Sequence, residues 1–530
     1  MKRLLSIFSL AMLLGLLAAV SVSLYAAQAT PAASAAAAVS SYNWLQFGGG
    51  SRHAGVNTAE TMLNASNVFN LKILFQIQLL NTADGAPVYL SNVVTAGGTR
   101  PLIFVSTMDG HIQAIDALTG AGVWNHQNGP GSCKINNGSA ICYTTSSPVI
   151  DPNLSYVYSY GLDGFVHKYQ VGNGTEITTG GWPELVSLKP YDEKGSSALS
   201  TVTTSGGTTY LYAANAGYPG DNGDYQGHIT AINLGDGAQK VFNADCSDQV
   251  VHFKETPGTP DCPAVQTAIW ARPGVVYSSE TGRIYMATGN GDYNPSLHDW
   301  GDSVFALNPD GTGAGGNPLD SYTPTNFAAL QAADADLGST APALLPVLAG
   351  SSVPHLAVQG GKDAKLRLIN LDNLSGHGGP GFTAGEIGSI INVPQGGEVL
   401  TQPAVWTNPA DNAAWVFVTT GSGIAGIKVV VANGTASLSP VWHTPNGGTS
   451  PIVVNNVLFY AGSGVLRALD PATGNLLWSS SQIGGIHWES PIVANSVLYV
   501  TDGSQNLTAY SLFGLPPSQI KYTYVSIIKK

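Results

Sequence analysis

Apolar residues in this chain fall in short runs, and turn residues break each run before it grows long. Paired runs of this kind centre near Ile103, Val157, Leu211, Ile284, Leu356, Val416, Leu458 and Leu498. Asp109-Gly110 and Asp163-Gly164 separate two such pairs, and Asp-Gly between apolar runs is strong hairpin chemistry. Long stretches with the helical period of 3.6 are absent. The pattern predicts an all-β chain built from eight hairpins.

A longer repeat organises the hairpins. Ala114-Ile115-Asp116-Ala117-Leu118-Thr119-Gly120, closed by Trp124, returns as Ala468-Leu469-Asp470-Pro471-Ala472-Thr473-Gly474, closed by Trp478. A second marker recurs as Ser147-Pro148-Val149-Ile150, Ser450-Pro451-Ile452-Val453 and Ser490-Pro491-Ile492-Val493, the last two copies 40 residues apart (490 − 450). That period fits one four-stranded propeller blade. The fold predicted is an eight-bladed β-propeller, with seven blades as the alternative because the middle repeats carry long inserts. Leu71–Gln76 is an early strand without a hairpin of its own. It is expected to complete the last blade, around Val497–Leu512, since a ring must close without leaving an exposed edge. Within the repeated phrase the Asp and Thr side chains are expected to bond backbone in the turn. The Gly is expected to take a left-handed conformation, and the Trp to pack between blades.

Charge changes the picture mainly by exclusion. The 530 residues carry a net charge of −12, dilute rather than clustered. A nucleic-acid binder needs a basic face, so that class is excluded. Lys2 and Arg3, an apolar run from Leu4 to about Val22, and Ala27-Gln28-Ala29 read as an export signal cleaved before Thr30. An uncleaved anchor is the alternative, and no later stretch could span a membrane. The predicted organisation is a signal peptide at 1–29, a leader at 30–43, a propeller at 44–512 and a tail at 513–530. Four cysteines follow the signal: Cys133, Cys142, Cys246 and Cys262. Three pairings are available. The local one closes two short polar loops in an oxidising compartment and is the one expected. A metal site is the alternative, without C-x-x-C spacing to favour it.

The repeated phrase, A-x-D-x-x-T-G-x-x-x-W, resembles the blade signature of the pyrroloquinoline-quinone (PQQ) repeat. The chain thus resembles the quinoprotein propellers: the PQQ-dependent alcohol dehydrogenases, and the non-catalytic outer-membrane assembly lipoprotein with the same repeat. Trp44-Leu45-Gln46-Phe47-Gly48 and Asn57-Thr58-Ala59-Glu60 also look like the opening of such proteins. Three stretches look like the dehydrogenase site. In Tyr285-Met286-Ala287-Thr288-Gly289-Asn290, the resemblance makes Asn290 a ligand to calcium beside the quinone. In Asp334-Ala335-Asp336-Leu337-Gly338-Ser339, it makes Asp336 the catalytic base and a calcium ligand, with Asp334 as the spare. In Gly361-Lys362-Asp363-Ala364, it makes Lys362 a contact of the quinone. As a set, these residues imply a hard cation polarising a quinone carbonyl, a carboxylate taking the alcohol proton and a lysine holding the cofactor.

The chain departs from that family in two places. Where the dehydrogenases carry a glutamate ligand in a stretch like S-G-A-E, this chain reads Asn215-Ala216-Gly217-Tyr218, with Asp221 and Asp224 the nearest carboxylates. The vicinal Cys-Cys of the alcohol dehydrogenases is missing, as is a haem motif C-x-x-C-H, so electrons would leave through a separate partner. Other motifs are weaker. Gly311-x-Gly313-x-x-Gly316 and Gly421-x-Gly423-x-x-Gly426 read as turns, since neither opens a helix after a strand. Asp292, Asp299 and Asp302 with His298 read as an exposed inter-strand loop, with cation binding as the alternative. Trp182, Trp270 and Trp488 either line a ligand channel or pack blades.

The sequence is thus read as an exported propeller, periplasmic or extracellular, that binds a ligand or protein and keeps a remnant quinone pocket. The alternative is a PQQ- and calcium-dependent dehydrogenase acting on an alcohol or sugar. Asn290, Asp336 and Lys362 are expected to converge at the axis of the ring.

Overall fold

The computed structural model describes residues 41–520 apart from 131–132, 137–139, 220–222 and 255–260. The expected signal peptide, nearly all of the leader and the end of the tail lie outside the described residues. Within them, no helix is long and apolar enough to cross a membrane.

Eight sheets follow one another as blades. Blade 1 runs Val88–Thr95, Gly98–Ser106, His111–Asp116 and Gly122–Gln127, and blade 2 runs Val149–Ile150, Tyr156–Tyr160, Phe165–Gln170 and Glu184–Leu185. In blade 3 both Glu193–Gly195 and Ser200–Thr203 pair with Thr209–Gly217, followed by His228–Asn233 and Gln239–Asn243. Blade 4 comprises Val276–Ser278, Arg283–Ala287, Val304–Leu307 and Asp320–Tyr322, and blade 5 comprises Ala343–Leu344, Leu356–Gln359, Lys365–Asn370 and Ile391–Asn392. Blade 6 spans Ala404–Thr407, Ala414–Thr420, Gly423–Ala432 and Thr435–Thr444. Blade 7 spans Ile452–Val454, Val457–Gly462, Val465–Leu469 and Leu476–Ser480. Each of the eight hairpin centres read from the apolar pattern falls on the second strand of its blade.

The ring closes as the early strand predicted. Blade 8 takes Ile492–Ala494, Val497–Thr501 and Asn506–Leu512 from the end of the chain. Its fourth strand is Leu71–Gln78, two residues longer than the predicted one, with Leu71 opposite Leu512 and Gln78 opposite Asn506. Pairing two distant parts of the chain in one sheet removes the free edge that an open ring would present. A second tie joins Val56–Asn57 in parallel to the first strand of blade 7.

The repeated phrase has the structural role expected of it. Asp116 Oδ1 accepts the N–H groups of Leu118 and Thr119, both at 3.0 Å, and Asp470 Oδ1 accepts those of Ala472 and Thr473, both at 2.9 Å. Gly120 and Gly474 sit at φ +75° and +74°, where a Cβ would strain the backbone. Trp124 reaches blade 2, donating from Nε1 to the Val171 carbonyl at 3.0 Å and covering Gly174, where an added Cβ would lie 2.6 Å from its ring. Trp442 of blade 6 does the same to blade 7, through the Pro471 carbonyl and over Gly474. Phe75 of the closing strand covers Gly120 of blade 1 in the same way. One aromatic-over-glycine contact thus recurs around the ring, and packing, not chemistry, explains the phrase.

The Ser-Pro marker ties inner strands together. Ser147 Oγ accepts the Ala86 N–H at 2.8 Å, and Ser450 Oγ accepts the Gln402 N–H at 3.0 Å, each bond crossing to the preceding blade. Where Pro403, Pro451 and Pro491 meet Phe47 and His53, only about 10 Å³ of space remains, enough for a single water at most.

Candidate functional site

The three residues singled out by resemblance sit on two neighbouring blades. Asn290 follows the second strand of blade 4 through Thr288-Gly289. Asp336 leads into a short 3₁₀ turn, Leu337–Ser339, ahead of blade 5. Lys362 sits in the turn between the second and third strands of blade 5. Gly338 lies against the Thr288 backbone with no room for a Cβ, so the two loops approach more closely than side chains would permit.

That approach brings the three side chains together. The Asn290 main-chain N–H donates to Asp336 Oδ1 at 2.6 Å, and Asn290 Nδ2 donates to Asp334 Oδ1 at 2.9 Å. Lys362 Nζ pairs with Asp336 Oδ2 and lies 3.2 Å from Asp334 Oδ1. Burial works against the Lys362 ammonium, but Asp336 and Asp334 outweigh it and raise its pKa. Asp336 is buried, while Asp334 is largely exposed. Asn290 Oδ1 is buried with no hydrogen-bond partner among the described residues.

Asp334, Asp336 and Lys362 open onto a cavity of about 500 Å³ whose walls come from blades 2, 3, 4, 5 and 8. Trp270 and Trp488 pack edge to face on its wall, ring centroids 6.2 Å apart, and Lys362 Nζ stands 5.5 Å from the Trp270 ring. Lys194 and Arg272 line the wall as well, Arg272 Cζ 5.7 Å from the Trp488 ring. Burial, then the neighbouring Arg272 charge, lowers the Lys194 pKa to about 7. Arg272 is buried and donates to the carbonyls of Thr145, Ser196 and Asp84 at 2.6, 3.0 and 3.3 Å. Burial lowers its pKa as well. The chamber combines aromatic faces, the cations of Lys362 and Arg272, the Lys194 amine and two carboxylates, a composition that suits a planar anionic ligand.

The comparisons agree with this architecture. A europium-containing methanol dehydrogenase superimposes with a TM-score of 0.61 at 14% identity, covering 89% of this chain and 98% of the other. Quinohemoprotein alcohol dehydrogenases from Pseudomonas putida HK5 and Comamonas testosteroni follow with TM-scores of 0.59 and 0.57 at 14% and 16% identity. Each covers 89% of this chain and 81% of its own. The family model of the outer membrane protein assembly factor BamB matches residues 404–513. No curated protein matches the chain in sequence. The chain has the β-propeller fold of these dehydrogenases.

Other expectations resolve differently within this propeller. Tyr218 lines the same cavity at the position of the missing glutamate, and its hydroxyl donates to the Pro190 carbonyl at 3.1 Å. Asp224 is drawn away to Lys189, 3.5 Å distant, and Asp221 lies outside the described residues. Of the three tryptophans, Trp270 and Trp488 line the chamber. Trp182 packs in blade 2 against Tyr158, centroids 5.1 Å apart. The Asp292–Asp302 loop is not the exposed cluster expected. Asp299 and Asp302 are buried, because their carboxylates accept the N–H groups of Cys246 at 3.0 Å and Leu337 at 2.9 Å. Burial pushes the Asp302 carboxyl up to about 8. Among the described residues one group has metal-like spacing: Cys246, Cys262 and Asp299. Cys246 and Cys262 are disulfide-bonded, which removes both thiolates, and Cys133–Cys142 is the second bridge, so the local pairing holds. Of the Gly421 motif, Gly421 forms the hairpin turn between the second and third strands of blade 6, while Gly423 and Gly426 lie in the third strand itself.

Sequence reading missed Lys194, Arg272, Tyr143 and the Asp84–His487 pair, whose Oδ2 and Nδ1 lie 2.7 Å apart. None sits in a recognisable motif. Only the ring closure brings blades 2, 3, 4, 5 and 8 around one chamber.

Proposed function

We propose that this chain is a ligand-binding propeller whose axial chamber takes a planar, polyanionic quinone of the PQQ class. The observation that carries the reading is that Asp334, Asp336 and Lys362 line one aromatic-walled cavity of about 500 Å³, with Asn290 bonded to both aspartates behind them. When bound, such a quinone supplies an electrophilic carbonyl pair that can accept hydride. Lys362 would hold an anionic oxygen of the ligand, Trp270 and Trp488 offer ring surface, and the orphaned Asn290 Oδ1 awaits a donor or a cation.

The residues fit the quinone better than they fit calcium. Calcium takes six to eight oxygen ligands. Here the chain offers Asn290 Oδ1 and the carboxylates of Asp334 and Asp336, already neutralised in part by Lys362, and Tyr218 adds no charge. The reading therefore favours a scaffold that holds a quinone over a calcium enzyme. Two disulfides fit an exported, oxidising location, and a protein partner or separate electron acceptor belongs to the same proposal.

A second reading, a PQQ-dependent dehydrogenase, is favoured by Asp334. Its exposed carboxylate stands beside Asn290 and Lys362, where a proton acceptor would act. One experiment separates the two. The full chain is titrated with PQQ alone, with calcium and with europium, following tryptophan fluorescence, and then assayed for dye reduction with alcohols and sugars. Binding that is lost in Lys362→Ala, without dye reduction, supports the scaffold. Binding with dye reduction moves the assignment to the enzyme. No quinone binding under any of the three conditions overturns both.

A further inference from the structure

Lys194 is the most unusual charged group of the chamber. Its side chain is 8% exposed, yet it lines the cavity. Its Nζ makes one hydrogen bond, to Ser196 Oγ at 2.7 Å, and stands 4.8 Å from the centroid of the Tyr143 ring. No carboxylate among the described residues forms an ion pair with it. Every other fully buried cation here has more polar company. Lys189 pairs with Glu193 and Asp224, Arg367 pairs with Asp363, and Arg272 donates to three carbonyls.

The Tyr143 ring and the Asp84 charge favour the ammonium, but burial with one hydrogen bond, together with Arg272, outweighs them and favours the amine. Arg272 adds a fixed positive charge nearby. Its N–H groups are committed to main-chain carbonyls, so it cannot turn away from Lys194. Desolvation and an adjacent cation are the two devices that keep a lysine neutral and nucleophilic. Strand structure supports the placement. Lys194 lies in the short strand Glu193–Gly195, paired to Ala216, so its backbone is anchored while its head group faces the chamber.

We propose that Lys194 is a Schiff-base-forming residue that condenses with the carbonyl of a small aldehyde or keto acid entering the axial chamber. The Nζ lone pair forms the C–N bond, and the carbonyl oxygen becomes the hydroxyl of a carbinolamine. The two protons of the amine leave with that oxygen as water, giving the imine. Hydrolysis runs the same steps backwards, so no oxidant or reductant is needed. Ser196 Oγ is placed to relay a proton between Nζ and the departing oxygen. Arg272, although it feels the buried Asp84 and Glu489 carboxyls, adds positive charge at the cavity wall and favours a carbonyl compound that carries an acid group. The proposal is independent of quinone binding.

The test is reductive trapping of the full chain. The protein is incubated with glyoxylate and sodium cyanoborohydride at neutral pH, and each lysine is scored by peptide mass spectrometry. Lys194 should be modified about tenfold or more faster than the exposed Lys72 and Lys254, because a neutral amine reacts and an ammonium does not. Lys194→Arg, which keeps a long basic side chain but no free amine, should abolish that adduct and leave labelling of Lys72 and Lys254 unchanged. Ser196→Ala should slow the adduct without abolishing it. Labelling of Lys194 no faster than Lys72 in the folded protein overturns the proposal. So does undiminished total labelling in Lys194→Arg. A failed PQQ titration leaves this readout untouched.

Discussion

Oδ1 of Asp336 accepts the main-chain N–H of Asn290 across 2.6 Å, joining two residues 46 positions apart and two blades of the ring. The bond makes the site part of the scaffold. The carboxylate that faces the chamber also satisfies a buried amide, and its second oxygen holds Lys362.

Asp336→Ala should therefore destabilise the fold as well as weaken ligand binding. It orphans one buried N–H and removes one anion from Lys362, which keeps Asp334. The expected loss is about 2 kcal/mol, below the 3–5 kcal/mol typical of breaking a fully buried pair. Asp336→Asn, which keeps the acceptor, should lose about half as much. Urea unfolding of the two variants measures both. Equal losses would mean that the Asn290 bond contributes nothing.

Gly174→Ala tests the aromatic-over-glycine contact. The residue sits at φ +70°, and an added methyl group would meet the Trp124 ring at 2.6 Å. Left-handed strain and overpacking together should cost about 2–3 kcal/mol. The matching change at Gly207, also left-handed but with open space around it, isolates the backbone part. Thermal unfolding should rank Gly174→Ala as clearly the worse of the two.

Removal of residues up to Gln78 should open the ring. Blade 8 would keep three strands and expose the edge of Asn506–Leu512. The shortened chain is expected to lose cooperative unfolding and to associate through that edge. Sedimentation and calorimetry report both. A monomeric, cooperatively folding product would show that the closing strand is dispensable.

Glu489 sets a pH dependence. Burial, then the Asp84 charge, pushes its carboxyl up to about 7 from 4.5. The folded state thus holds this proton more tightly than the unfolded chain. Between about pH 4.5 and 7 the unfolded state binds fewer protons, so this group makes stability fall as pH rises, by at most about 1.4 kcal/mol per pH unit. Glu489→Gln should flatten that part of the stability profile. Parallel profiles for the two proteins across this window would contradict the assignment.

The chamber shows where sequence reading stops. Asn290, Asp336 and Lys362 were legible because each lies in a local stretch that resembles a known one. Lys194 and Arg272 were not, because a lone Lys after Glu193 or a lone Arg before Pro273 carries no local pattern. The Asp292–Asp302 loop misled for the opposite reason. Its polar composition reads as exposed, yet Asp299 and Asp302 are buried because distant N–H groups, those of Cys246 and Leu337, need acceptors.

The sequence alone determined the blades. Strand alternation, Asp-Gly turns and the A-x-D-x-x-T-G-x-x-x-W phrase act over short distances, so their physics is written into neighbouring residues. The closing strand was also legible, because an unpaired apolar run needs a partner. What only the tertiary structure decided is the content of the chamber. Which charges are buried, which are paired and which face empty space depends on blades far apart in the chain meeting around one axis. No local pattern records that meeting.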